Sequence, residues 1–238
     1  MFRLLLVKIY KLSQSFPAPA RKVLNILGLG RLRSLLLDKH TAELAFQTSW
    51  AKAYDGKPEA MRRDLEDSWR KNRELDRIVE TCRLGEDSKV LDVGCGIATV
   101  LHVLKGERYG IDPLAEEYKK IYSYPREFTI IKGSGEAIPF QDSTFDVVFC
   151  SNVLDHVTDP GKTLDEILRV LKKEGFLNLI VEVFPVISER NAPHPHCLTE
   201  DHVGRLLSGR FREVFCKTVP WPGGRNGSSG SIKILRKI

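Results

Sequence analysis

The stretch Val90-Leu-Asp-Val-Gly-Cys-Gly-Ile-Ala-Thr-Val100 constrains the fold of this 238-residue chain more than any other. Val90, Leu91 and Val93 make a short apolar run of β-prone residues, as a buried parallel strand requires. Gly94-Cys-Gly96 ends that run, and the small and apolar residues after it predict the start of a helix. A strand, a glycine turn and a helix let backbone come close to a ligand, and the helix N-terminus favours anionic groups. Many nucleotide-binding folds share this pattern, so two acids are needed to narrow it. Asp92 lies inside the strand, and Asp112 ends the next strand-like run, Arg108-Tyr-Gly-Ile-Asp112. A carboxylate there can accept hydrogen bonds from both hydroxyls of a ribose.

Further motifs follow in order. They are Tyr109-Gly-Ile-Asp-Pro113, Gly133-Ser-Gly-Glu-Ala-Ile-Pro-Phe140, Phe145-Asp-Val-Val-Phe-Cys-Ser-Asn-Val-Leu-Asp-His156 and Leu164-Asp-Glu-Ile-Leu-Arg-Val-Leu-Lys-Lys-Glu-Gly-Phe176. Together with the first turn, they make residues 86–184 resemble the class I, Rossmann-like S-adenosylmethionine-dependent methyltransferases of the methyltransferase type 11 kind. The resemblance implies an α/β, doubly wound, mostly parallel seven-stranded sheet with the last strand antiparallel. It implies S-adenosylmethionine as cofactor, with Asp92, Gly94, Cys95, Gly96, Asp112, Pro113, Ser134, Gly135, Glu136 and Ser151 as its candidate contacts. One position departs from the family. An aspartate that bonds the adenine amino group usually stands where this chain has Ser134, which keeps an acceptor but carries no charge.

Around this centre, residues 41–56 predict a helix ending at Asp55-Gly56. Pro58 to Arg83 predicts one long charged helix, with Met61, Leu65, Trp69, Leu75, Ile78 and Val79 as its apolar positions and Pro58 in its first turn. In the resembled family a helix before the first strand covers the cofactor, so Trp50, Tyr54, Trp69 and Arg73 are candidates to touch it, against core packing as the plainer role. Further strands are expected at 128–132, 146–150, 176–183, 211–219 and 231–237. Helices are expected from Asp112-Pro113 to about Tyr122, from Asp159-Pro160 to the turn Lys173-Glu-Gly175, and from Thr199-Glu-Asp201 onward, where Asp159 and Thr199 are N-cap types. Residues 184–198 and 222–230 read as loops. The division expected is a helical N-terminal extension with cofactor-covering helices over 1–83, and the methyltransferase domain over 84–238.

Charge is unevenly placed. Residues 1–40 hold eight Lys and Arg against Asp38 alone, which is +7 of a total of +6, so the remainder carries −1. Interleaved with Leu, Ile, Val and Phe, this extension reads as short amphipathic helices suited to an anionic membrane surface, or as a lid or dimerisation arm. Its first apolar run is too short and too charged to span a bilayer. Nucleic acid is not an expected partner, because the cleft-forming part of the chain is not basic. Cysteines 82, 95, 150, 197 and 216 are odd in number and lack a CxxC pair, which fits reduced thiols in the cytoplasm, with peripheral contact at the membrane's inner face through the extension. His194-Pro-His196-Cys197 with His202 matches no standard zinc spacing, so no metal is expected.

Methyl transfer requires an acceptor aligned behind the methyl carbon, and a hydroxyl acceptor also needs a proton acceptor. Asp155 and His156, just after the fourth strand, and His194 and His196, in the loop that follows the fifth, are the candidate proton acceptors, with the three histidines as the catalytic candidates and His156 foremost, against packing or capping roles. A nicotinamide dehydrogenase would want a third glycine near Thr99 and a Tyr-x-x-x-Lys pair, and neither is present. The acceptor stays open between a hydroxyl of a glycan or lipid-linked precursor and a soluble metabolite. A non-catalytic cofactor-binding module remains an alternative, and oligomeric state is not legible.

Overall fold

A computed structural model describes residues 39–187, 195–221 and 227–238. His194, the expected helices before Lys39 and most of the glycine-rich loop lie outside the described residues. Among the described residues three helices come first: α1 (Lys39–Ala53), α2 (Pro58–Asn72) and α3 (Leu75–Thr81). They are followed by β1 (Lys89–Val93), β2 (Glu107–Asp112), α4 (Ala115–Tyr118), β3 (Phe128–Lys132) and β4 (Phe145–Ser151). The chain then runs through α5 (Pro160–Val170), β5 (Leu171–Val183), α6 (Glu200–Leu207), β6 (Phe211–Pro220) and β7 (Ser229–Lys237). The strands form one sheet in the order β3-β2-β1-β4-β5-β7-β6. All are parallel except β7, which runs antiparallel to both β5 and β6. This is the expected architecture.

Central strands buried on both sides explain the unbroken apolar runs. Val147 to Cys150 are all fully buried. The period of two then sorts side chains between the faces. Leu91, Val93, Val148, Cys150, Leu177, Leu179 and Val181 share a core with Leu164, Ile167 and Val170 of α5 and with Val203 and Leu207 of α6. Val90, Val147, Phe149, Ile180, Ile232 and Ile234 pack on the other face with Trp69 of α2 and with Leu75 and Ile78 of α3. The caps are as the sequence indicates. Asp159 Oδ1 accepts from Lys162 N (3.0 Å) ahead of Pro160, and Thr199 Oγ1 accepts from His202 N (3.2 Å).

Several elements differ from expectation. The long helix expected over 58–83 breaks at Glu74, whose φ is 60°. In one straight helix Trp69 and Ile78, nine residues apart at roughly 100° each, would face opposite ways. The break turns both onto the sheet. The residues after Gly96 give no α-helix, only a 3-10 turn over Val100–Val103. Val100, Leu101, His102 and Leu104 are all buried, and an amphipathic helix cannot bury nearly every successive side chain. Helix α4 stops at Tyr118 instead of Tyr122, and α5 ends at Val170, so β5 begins at Leu171 with a register shift opposite Phe145 and Val147.

Arg169 of α5 ties the segment after β3 to this frame. Its Nη1 donates to Phe140 O (2.8 Å) and Asp142 Oδ1 (2.8 Å), its Nη2 to Ile138 O (2.9 Å), and its Nε to Glu166 Oε1 (2.7 Å). A fork of donors in that geometry is available only to arginine. Arg169→Ala is expected to cost roughly 1–3 kcal/mol, the scale of hydrogen bonds involving a charged group. Guanidinium unfolding checks this, and an unchanged midpoint contradicts it.

Candidate active site

The glycine turn is fastened to the end of β2. Gly94 N and Cys95 N both donate to Ile111 O, at 2.8 and 3.1 Å. Gly96 N donates to Asp112 Oδ2 (3.2 Å), and Leu114 N donates to Asp112 Oδ1 (2.8 Å). Gly94 and Gly96 have φ of 69° and 53°, in the left-handed region that glycine adopts without strain. A Cβ on Gly94 would collide with Val153, and one on Gly96 would sit 2.5 Å from Gln47 Nε2.

The other side of the turn is held by residues that sequence reading did not single out. Gln47 of α1 accepts from Ile97 N (2.8 Å) and donates to Glu43 Oε1 (2.8 Å). The Tyr124 hydroxyl donates to Gly96 O (2.7 Å). His102 Nε2 lies 3.3 Å from Ile97 O, and burial pushes its pKa down to about 4, so at neutral pH it is an uncharged ring. Thr99, directly after the motif, donates from Oγ1 to Asp92 Oδ2 (2.6 Å). These contacts join α1, the β1–β2 connection and the loop before β3, and no local pattern announces them.

Asp92 and Asp112 are both buried. Burial raises Asp92 to about 7, against the hydrogen bonds from Thr99 and Val100, and the nearby Asp112 carboxylate adds to the rise. Burial raises Asp112 to about 6, against the Leu114 and Gly96 donors, with Glu43 and Glu117 adding repulsion. Arg73, at the end of α2, lies over the Trp69 ring at 5.0 Å, with its pKa lowered by burial while the Asp92 charge works the other way.

Cys95 is buried under the turn, with its thiol pushed well up by burial, and Pro113 is exposed beside Asp112. Ser134 opens a tight turn, accepting at its carbonyl from Ala137 N (3.2 Å). Gly135 makes room for α5, since a Cβ there would lie 2.8 Å from Thr163 Cγ2. Glu136 Oε1 accepts from Thr158 N (2.7 Å), which holds the Ser134 turn against the loop after β4. Ser151 Oγ is buried with no hydrogen-bond partner among the described residues. His156 is half-buried, its Nε2 3.7 Å from Asp155 Oδ2. His196 Nε2 lies 3.0 Å from Val157 O and 3.2 Å from Thr158 O, so that nitrogen joins two loops.

Comparison with known proteins bears on the family. Residues 91–179 match the family described as Methyltransferase domain. The putative methyltransferase YrhH of Bacillus subtilis is 30% identical over 148 residues, which are 58% of this chain and 81% of that protein. The chain belongs to the class I S-adenosylmethionine-dependent methyltransferases. Another relative, the uncharacterized methyltransferase C1B3.06c of Schizosaccharomyces pombe, is 32% identical over 42% of this chain and 44% of its own length. The chain spans about half the length of the first curated relatives it matches. The fold is shared with the crystal structure of a SAM-dependent methyltransferase from Methanosarcina mazei, at a TM-score of 0.53 and 21% identity, covering 68% of this chain and 97% of that one.

The residues present fit the family's cofactor. A Cβ at Gly94 or Gly96 would press on Val153 or Gln47, Asp112 ends β2 with both oxygens already oriented by N–H donors, and Ser151 Oγ at the end of β4 is a buried hydroxyl without a partner among the described residues. We propose Asp112 as the residue that would hold the ribose hydroxyls, and Asp112→Ala is then expected to weaken cofactor binding by roughly 1.5–3 kcal/mol in a folded protein. Calorimetric titration checks this, and unchanged affinity contradicts it. The raised pKa values set a pH dependence. Both acids favour protonation on folding, so their contribution to stability is full below the unfolded carboxyl pKa of about 4 and is lost as pH rises through about 6 and about 7. Unfolding titrations without ligand should show stability falling across that window, and Asp112→Asn should remove the lower part of the fall.

Proposed function

We propose that this chain transfers a methyl group from S-adenosylmethionine to an acceptor seated over the carboxyl ends of β4 and β5. When bound, the cofactor supplies a methyl group on a positively charged sulfur. The chain's own contribution is to bind, orient and exclude water, and holding the two reactants in line supplies much of the acceleration. The observation that carries the reading is the turn Gly94–Gly96 clasped to Asp112, at the place where ligands bind in open α/β sheets. His156, beside the buried Asp155, is the group we assign to orient the acceptor or take its proton.

For the acceptor, we infer a hydroxyl of a glycan or lipid-linked precursor at a membrane surface. Residues 1–40 with their +7 charge support this, although 1–38 lie outside the described residues. Phe46 of α1 and Val186 and Ile187 after β5 are exposed apolar side chains near the carboxyl end of the sheet, where an acceptor with a hydrocarbon portion would enter. No helix among the described residues is long and apolar enough to cross a membrane. A soluble metabolite is the competing acceptor.

Two measurements test the proposal. Gly96→Val should keep the far-ultraviolet circular dichroism of the native sheet but abolish thermal stabilisation by S-adenosylmethionine, and retained stabilisation would place the ligand elsewhere. Full-length protein should sediment with anionic vesicles at low salt and pass labelled methyl groups into the lipid phase of a cell extract. Label confined to the aqueous phase, with no vesicle binding, would favour the soluble metabolite.

A further inference from the structure

Strand β5 carries an acid in an otherwise apolar run, Phe176-Leu-Asn-Leu-Ile-Val-Glu-Val183. That acid, Glu182, is only 4% exposed. It lies two residues beyond Ile180, and so on the α2–α3 face of the sheet, the face that also carries Asp92. The register places it at the far, carboxyl end. Ile180 pairs with Ser151, the last residue of β4, and Glu182 is one pleat further on. Strand β5 stands two strands from β1, about 10 Å away at the usual strand spacing. Glu182 is therefore on the opposite side of Asp92 from Asp112, where a second reactant would lie beside a cofactor on β1 and β2.

Its surroundings are unusual for a buried charge. Among the described residues its one hydrogen bond comes from the Ser228 hydroxyl (2.5 Å), and no Lys, Arg or His stands within ion-pair reach. Buried carboxylates are ordinarily paired with a cation, because desolvating an unpaired charge costs several kcal/mol. Across the sheet, Glu182 pairs with Gly230 of β7. A Cβ on Gly230 would lie 2.8 Å from Trp221 Cε3, so the indole fills the space beside the Glu182 side chain that a larger residue would take. A buried carboxylate next to an aromatic ring is a site for a cation with hydrogen-bond donors, bound by charge and by the ring's negative face.

We propose that Glu182 and Trp221 recognise a positively charged nitrogen on the methyl acceptor. This rests on the methyltransferase reading and narrows its acceptor to molecules that bear an ammonium group, such as amino sugars or amine-bearing lipids. The acidic side chain is a binding group here, and neither Asp112 nor the glycine turn takes part in it.

The test uses full-length protein saturated with S-adenosylhomocysteine, titrated calorimetrically with propylammonium and, separately, with its neutral counterpart 1-propanol. The ammonium ion should bind roughly tenfold or more tightly than the alcohol, the ratio expected for a charged hydrogen bond. Glu182→Gln should abolish that preference while leaving affinity for S-adenosylmethionine at its wild-type level. Trp221→Leu, which keeps the carboxylate, should weaken the ammonium ion several-fold and leave the alcohol unchanged. Equal binding of the two probes by the wild-type protein, or an undiminished preference in folded Glu182→Gln, overturns the assignment. Failure of the wild-type protein to bind S-adenosylmethionine would count against the methyltransferase reading instead, and is read out separately in the same titrations.

Discussion

The structure depends on one clasp, in which the turn after β1 is bound to the end of β2. Ile111 O receives two N–H groups from the turn, and Asp112 receives a third. Register makes this possible, since Val93 is paired with Ile111, so both strands end at the same level. Once Asp112 is held by Gly96 N and Leu114 N, its carboxylate has one orientation, and a ligand need not order it on binding. The cost appears in the proton affinities. Two acids brought out of water close together have raised pKa values, which is stability given up by the unliganded protein for a prearranged site.

The same period-two geometry divides the sheet into a hydrocarbon face and a face whose carboxyl end is polar. The α5–α6 side is filled with Leu, Ile and Val, and its cysteine, Cys150, is a buried thiol raised above its ordinary pKa by burial. The α2–α3 side carries Asp112, Asp92, Ser151 and Glu182 at the ends of successive strands β2, β1, β4 and β5. Asp92 and Glu182 interrupt apolar strands with a polar side chain, and Asp112 and Ser151 are the last residues of theirs. Because α2 and α3 share a core with this face, the helices before the first strand cannot be separated from the binding site, and Gln47 of α1 reaches the turn directly.

Local signals made most of the fold legible. The strands were visible as β-prone runs, and the starts of α5 and α6 were visible because Asp159-Pro160 and Thr199 act within one turn of themselves. The break at Glu74 was not visible, because neither glycine nor proline marks it and the gain comes from docking Trp69 and Ile78 together on a distant sheet. The 3-10 turn failed for the same reason: burial of Val100 to Leu104 is decided by the sheet and not by their own spacing. In the site, Asp112 and the glycines could be read from the motif. Gln47 lies fifty positions from its partner Ile97, and the bond between His196 and the Val157 carbonyl likewise crosses the chain. Glu182 did carry a sequence signal, an acid among hydrophobic neighbours, but its significance needed the register with Gly230 and the position of Trp221.

The central claim is that the clasp between the glycine turn and Asp112 is where the cofactor is held. Hydrogen–deuterium exchange with and without S-adenosylmethionine tests it most directly, because the amides that form the clasp report on it residue by residue. Exchange at Gly94–Ile97 and at Leu114 should slow when the cofactor is added, with the amides of α6 and β6 unchanged. Exchange at the turn that does not respond, with protection appearing instead along α5 and α6, would contradict it.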